Sequence, residues 1–295
     1  RIVPESMESM RRMADRLSIL SRERIAEELD KMLVTDRPSL AFHLLDSAEL
    51  LPRILPELSA LKGVETVDGR GHKDNFAHTL AVTDNIRRED VAPQEGRDHL
   101  LWLRWAALLH DIGKPRSKRW NPAAGWTFHA HNTIGAKMVP GLFRRLKLPM
   151  DMKMKFVQKM VDLHMRPIAI ADDIVTDSAV RRLVNDAGDD IDELMILCEA
   201  DITSKNQTRK QHFIDNYQLV RQKIDDLKVK DFKRLLQPVI DGNEIMEMYH
   251  LKPSREVGIL KQYLKDAVLD NKVENEREPL LALLDGKAQE LGLKK

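Results

Sequence analysis

Histidines and aspartates set along otherwise apolar segments are the residues of this chain that could do chemistry. An adjacent pair, His110-Asp111, closes the apolar run Trp105-Ala106-Ala107-Leu108-Leu109 and is followed by Gly113 and Lys114. An imidazole nitrogen and a carboxylate oxygen are donors that a hard or borderline divalent cation accepts. Successive residues on a helix diverge by about 100°. The pair can therefore serve one centre only if an ion lies between their directions, or if the carboxylate bridges two ions. Gly113 reads as the left-handed residue that stops the helix. Lys114 follows the turn, with an ammonium able to meet a phosphate oxygen.

Such a dipeptide alone is weak, because a capped helix end explains it more often. Its company adds weight. His78 lies upstream in Phe76-Ala77-His78-Thr79-Leu80, and His131, His164 and Asp201 lie downstream. Each ends or opens an apolar segment that reads as a helix, giving the order His, His-Asp, His, His, Asp. Cys198, three residues before Asp201, reads as a buried small residue rather than a ligand. His43, His72, His99, His212 and His250 have no partners at telling spacing and read as surface or satisfied histidines.

Helical periodicity supplies the elements that must position these groups. Met7, Met10, Met13, Ala14 and Leu17 recur at helical spacing, as do Ile25, Leu29 and Leu33 behind a Ser21 N-cap. Residues 36–39 make a turn and residues 40–51 a further helix. Residues 63–75 form a loop rich in glycine. Helices are expected over 76–86, carrying His78, and over 98–112, the central helix. Residues 115–127 read as a basic loop containing Trp120 and Trp126; its Arg116, Lys118 and Arg119 form either a solvated surface or a phosphate-facing rim. His131 opens the next helix, in which Gly135 and Ala136 allow close packing and Pro140 introduces a kink. A helix from 156 leads to His164 and ends before Pro167. Asp177 or Ser178 caps a helix ending near Gly188, and residues 191–201 and 208–228 follow. Asp190-Ile191-Asp192 reads as a helix cap, not as paired catalytic carboxylates. Strand signals do not rise above background, so the fold class is all-α.

Composition sets the outer limits. With 42% apolar residues in 295 there is material for a sizeable core, and 32% charged with 5% aromatic suits solvated helices. A net charge of +1 excludes a global polyanion-binding signature, so any nucleic-acid contact must be local. The single cysteine forbids an intrachain disulfide and suits a reducing cytoplasm. No apolar run approaches the roughly 20 residues that span a membrane. The N-terminus does not read as a signal peptide, and a start at Arg1 fits a fragment.

The order of metal-type residues resembles the HD superfamily of metal-dependent phosphohydrolases. More specifically, Leu103-Arg104-Trp105-Ala106-Ala107-Leu108-Leu109-His110-Asp111-Ile112-Gly113-Lys114-Pro115, with Phe128-His129-Ala130-His131, resembles the HD domain of bacterial CCA-adding enzymes and poly(A) polymerases. Residues around Ile2–Ile25 resemble that family's neck and body helices, and Leu55–Val64 resembles the segment linking those helices to the HD domain. Gly242–Met246, Leu251–Gly258 and Val273–Glu276 resemble its tail. The resemblance implies neck/body helices over 1–62, an HD helical bundle over 72–228 and a helical tail over 229–295. It implies a first divalent ion on His78, His110, Asp111 and Asp201, and a second on Asp111, His131 and His164. Lys114 would join Asp111 in catalysis. His131 matches the family's His-x-x-x-Gly pattern and His129 does not, so His129 is expected in the loop or around the ligands. The donors, without thiolate, suit one or two ions of Mg, Mn, Ni, Fe or Co. The expected activity is phosphatase, 2′-nucleotidase or 2′,3′-cyclic phosphodiesterase, acting on nucleotides or RNA-end phosphoesters. No Gly-Ser element with paired carboxylates is found, so the nucleotidyltransferase head is expected before residue 1. The rival expectation is a tRNA- or RNA-binding arm of such an enzyme with a weak or silent HD site.

Overall fold

The computed structural model describes residues 2–91, 96–172, 176–203, 206–229 and 237–294. Its residues group into two compact units, Arg1–Ala169 with Asp189–Tyr217, and Ile170–Gly188 with Gln218–Lys295. No described helix is long and apolar enough to cross a membrane.

The first unit begins with α1 (Pro4–Arg12), α2 (Arg22–Leu33), α3 (Pro38–Ser47) and the short α4 (Leu51–Ile54) and α5 (Pro56–Ser59). Ser21 caps α2 as expected, accepting from the Arg24 amide. α6 (Asn75–Asn85), α7 (Gly96–Leu109), the short α8 (Lys114–Ser117), α9 (His131–Leu146) and α10 (Met152–Leu163) follow. α11 (Met165–Asp172) and α12 (Asp177–Ala187) come next, then α13 (Ile191–Ala200) and α14 (Gln207–Val229). α7 is apolar nearly all round, and residues 100–113 are buried. Such a helix must be central, and it packs against α2, α6, α10 and α13.

One charge sits inside that core. Arg104, 3% exposed, donates from Nε and Nη2 to the Ile86 carbonyl and from Nη1 to the Leu33 and Thr35 carbonyls. It thereby satisfies the carbonyls that the ends of α2 and α6 leave open. Beside it, the Trp105 indole donates to Asp30 on α2 at 2.7 Å. α7 is thus pinned to α2 and α6 immediately before the His110-Asp111 pair.

Several expectations are corrected. The two loops contain strands: β1 (Thr66–Val67) pairs with β2 (Arg70–Gly71), and β3 (Arg119–Asn121) with β4 (Gly125–Thr127). The first hairpin turns on Asp68-Gly69, both at positive φ, the two-residue turn whose twist matches the strands. In the second, Trp120 lies opposite Trp126, a cross-strand aromatic pair. Thr176, not Asp177 or Ser178, caps α12 through its hydroxyl. The helix leading to His164 does end before Pro167, at Leu163, and a further helix, α11, follows with Pro167 in its first turn, where its missing N–H costs nothing.

The second unit contains α12, the later part of α14, and three helices of the tail: α15 (Gly242–Met248), α16 (Arg255–Leu269) and α17 (Arg277–Glu290). Ile245, Leu260, Leu264, Leu280 and Leu284 form its core. Asp241 caps α15 through two amides, and Arg182 on α12 bonds Asp270 after α16 at 2.5 and 3.1 Å. Ser254 stands at the N-cap of α16, but its hydroxyl makes no cap bond.

Candidate metal centre

All six residues singled out by spacing converge inside the first unit. α7 ends at Leu109, and His110-Asp111 lie in the turn beyond it, where Lys114 N bonds Asp111 O at 2.9 Å. Leaving the helix lets the two adjacent side chains meet. His110 Nε2 lies 3.3 Å from Asp111 Oδ2. His78 comes from α6, with Nε2 3.7 Å from the same oxygen and 2.8 Å from Asp201 Oδ1. Asp201 ends α13 and also lies 3.8 Å from His110 Nε2. On the other side, His131 Nε2 from the first turn of α9 is 3.3 Å from Asp111 Oδ1 and 3.3 Å from His164 Nε2. Two donor groups result, His78-His110-Asp111 and Asp111-His131-His164, each compact enough to hold one ion. Asp111 belongs to both, one oxygen towards each.

The tautomers follow from the backbone. Nδ1 of His110, His131 and His164 lies 2.7–2.8 Å from the carbonyls of Ala107, Phe128 and Val161 respectively. A carbonyl only accepts, so these Nδ1 atoms carry protons and their Nε2 lone pairs point inward. This is how metal-ligating histidines are oriented. His110 Nε2 is buried with no hydrogen-bond partner, a cost that a coordinated cation would remove. His78 differs: its Nε2 faces the Asp201 carboxylate and its Nδ1 meets the Thr203 hydroxyl at 2.8 Å. A hydroxyl can donate or accept, so Thr203 lets His78 switch tautomer. Thr203 had no spacing signal, since only the turn after α13 brings it there.

Electrostatics separate the groups. Burial, reinforced by repulsion from His110, pushes His164 down to about 3, so it stays neutral. Burial also opposes charge on His110, but the Asp111 carboxylate, then Asp201, outweighs it and raises that imidazole. For Asp111 burial acts upward, yet His110, His131 and Lys114 hold it well below the usual carboxylate range. Asp201 is held low against burial by the hydrogen bond from His78 and by His110. Both carboxylates are thus anionic, as ligands must be.

Lys114 Nζ lies 2.6 Å from Asp111 Oδ2 and 3.5 Å from Asn75 Oδ1. Gly113 is right-handed, φ −79° and ψ −16°, not the left-handed stop expected of it. Its constraint is space: a Cβ there would stand 2.0 Å from His131 O and 2.7 Å from Gly135 N. Gly135 is tight in turn, its Cβ position 3.1 Å from Val161. Two facing glycines therefore bring the start of α9 against the His110-Asp111 turn. His129 is exposed in the loop before α9. Cys198 is buried and donates to the His164 carbonyl at 3.1 Å, a packing role beside the ligand set.

Residues 75–206, which carry all six of these residues, match the HD domain family model. Residues 1–62 match a second model, "Probable RNA and SrmB- binding site of polymerase A". The chain is 29% identical to the A-adding tRNA nucleotidyltransferase of Deinococcus radiodurans, over 90% of its own length and 59% of that protein. It is 28% identical to the CC-adding tRNA nucleotidyltransferase of Thermus thermophilus, over 90% of its length and 56% of the relative. A multifunctional CCA protein of Ralstonia nicotianae is 34% identical over 51% of the chain and 33% of that protein. The chain thus carries an HD domain and a region matching the RNA-binding model, is similar to tRNA nucleotidyltransferases over 90% of its length, and spans a little over half the length of the first two relatives.

Proposed function

We propose that this chain is a metal-dependent phosphohydrolase of the HD type, a phosphatase, 2′-nucleotidase or 2′,3′-cyclic phosphodiesterase. The carrying observation is the pair of donor groups sharing Asp111, with three inward Nε2 lone pairs fixed by backbone carbonyls. His78, His110, Asp111 and Asp201 would hold one divalent ion, and Asp111, His131 and His164 a second. The nitrogen and oxygen donors suit Mg, Mn, Ni, Fe or Co. Such ions would supply activated water near neutral pH and neutralise charge on the phosphoryl group.

The chain's own residues do the rest. Asp111 aligns the two donor groups by presenting one oxygen to each. Thr203 sets the His78 ring. Lys114, held between Asp111 and Asn75, is placed to turn its ammonium to a phosphoryl oxygen as charge develops there. The match of residues 1–62 to an RNA-binding model favours a second reading, an arm that holds tRNA beside a weak HD site. Both readings place the protein among tRNA-processing enzymes, working in the cytoplasm.

The test is turnover of 2′,3′-cyclic AMP and a generic phosphoester with Mg, Mn, Ni or no added metal, beside Asp111→Ala. Metal-dependent turnover lost in the variant supports the hydrolase. A folded protein with no turnover under any metal refutes it and leaves tRNA binding as the function to measure.

A further inference from the structure

A row of rings leads away from the metal centre. Lys114 Nζ, 2.6 Å from Asp111, stands 5.7 Å from the Phe128 ring centroid. Phe128 meets His72 edge-on at 5.7 Å, His72 meets Trp126 at 5.9 Å, and Trp126 meets Trp120 at 5.3 Å. These rings belong to the two hairpins and the strand exit after β4. The row is braced. The Trp126 indole donates to Glu65 O at 3.0 Å, and Lys118 lies 4.3 Å over the Trp126 ring while pairing with Glu65. Arg70 ties the first hairpin to the carbonyls of Pro122 and Ala123 in the second. The Phe128 carbonyl itself orients the ligand His131.

On the segment that carries Trp120, Trp126 and Phe128 the charge has one sign. From Lys114 to His131 the chain carries Lys114, Arg116, Lys118 and Arg119 and no aspartate or glutamate. Arg116 and Arg119 are exposed, and Trp120 is half-exposed at the outer end. Rings interleaved with basic side chains are what single-stranded nucleic acid requires: stacking surfaces for bases and cations for the phosphates between them. Lys114 and Phe128 are the members of the row nearest the metal centre. The row continues through three more rings.

We infer that the hairpins form a binding track for a single-stranded RNA end, with Trp120 stacking a base several nucleotides from the phosphoester presented to the metal centre. Arg116 and Arg119 contact the backbone between. This rests on the hydrolase reading for which phosphoester is cleaved, but the track's affinity for RNA does not. It makes the end of an RNA chain, rather than a free nucleotide, the preferred substrate of that centre.

Two measurements test it on the full chain. The first compares KM for an oligoribonucleotide of about five residues ending in a 2′,3′-cyclic phosphate with KM for 2′,3′-cyclic AMP. Trp120→Ala is expected to raise the ratio of the two on the order of tenfold, the effect of removing one stacked base. Arg119→Glu, which leaves the tryptophan pair in place, is expected to raise it too. An unchanged ratio in both variants overturns the track. The second measures binding of a fluorescent oligoribonucleotide by anisotropy with no divalent metal. Should turnover be absent altogether, the hydrolase reading fails. The track then stands if Trp120→Ala and Arg119→Glu each weaken binding severalfold, and falls if both bind like the parent. Competition by 2′,3′-cyclic AMP as effective as by the oligonucleotide also overturns it.

Discussion

Gly113→Ala is the sharpest perturbation of the centre, because it adds one methyl group and replaces no proposed ligand. The backbone at Gly113 is right-handed helical, so alanine carries no conformational penalty there. The whole effect must come from space. The new Cβ would stand 2.0 Å from His131 O, 2.9 Å from His131 C and 2.7 Å from Gly135 N, whereas close C···O contacts are about 3.3 Å. The obstacle is main chain, so no side-chain rotation relieves it, and the first turn of α9 must retreat by about 1 Å. Overpacking usually costs about 1–3 kcal/mol, and with backbone on both sides the upper end, about 3 kcal/mol, is expected. His131 Nε2 would withdraw from Asp111 and the Asp111-His131-His164 group would open. Gly141→Ala on the same helix is the control: nothing lies within 4 Å of its Cβ position, and helix propensity predicts a gain of up to about 1 kcal/mol. Urea unfolding gives both stabilities, and calorimetric titration with Mn counts the ions bound. A Gly113→Ala protein within about 1 kcal/mol of the parent, with undiminished metal binding, would refute the close approach as the constraint.

The remaining predictions concern charge. Lys114→Met frees Asp111 Oδ2 from an ammonium at 2.6 Å, so Mn should bind more tightly while turnover falls by about tenfold or more; calorimetry beside steady-state kinetics reads the split, and weaker metal binding with unchanged kcat would contradict it. Arg104→Met leaves the carbonyls of Leu33, Thr35 and Ile86 without their buried donor and should destabilise the fold in urea unfolding by about 1–3 kcal/mol for each carbonyl left unpaired. In the second unit, the hydrogen bond from Arg182 holds Asp270 below its ordinary value. A depressed carboxyl stabilises the fold above its unfolded pKa, about 4, and loses that contribution as pH falls through the folded value. Asp270→Asn should therefore lower stability at neutral pH, by no more than about 1 kcal/mol for so exposed a pair. Unfolding measured down to low pH should show the parent and variant converging, and a constant difference would exclude the ion pair as the cause.

Local pattern carried most of the architecture because its signals are short-range. Sequence pattern placed α6, α7 and α14 close to their observed bounds and the start of α9 at His131, and Ser21 capped α2 as its position required. The hairpins were missed although Asp68-Gly69 is a two-residue turn signal. Flanking strands of two or three residues are too short to show alternation. Thr176 capped α12 in place of its neighbours because any of three successive polar residues could do so, and the packed helix decides which hydroxyl faces the free amide.

The candidate site divides along the same line. Residue type and order brought forward His78, His110, Asp111, His131, His164 and Asp201, because imidazole and carboxylate at the ends of apolar segments are chemically conspicuous in one dimension. Their distances depend on contacts between residues far apart in the chain, which order alone does not encode. Gly113 appeared to need a left-handed backbone, yet its constraint is the His131 carbonyl, supplied by another helix. Thr203, the Phe128 carbonyl and the ring row from Phe128 to Trp120 carry no motif. What the sequence determined by itself is the inventory of candidate ligands and the helices that bear them. The sharing of Asp111, the inward lone pairs and the basic, ring-lined approach were decided by tertiary packing, because direction and proximity exist only once α6, α7, α9, α10 and α13 are brought together.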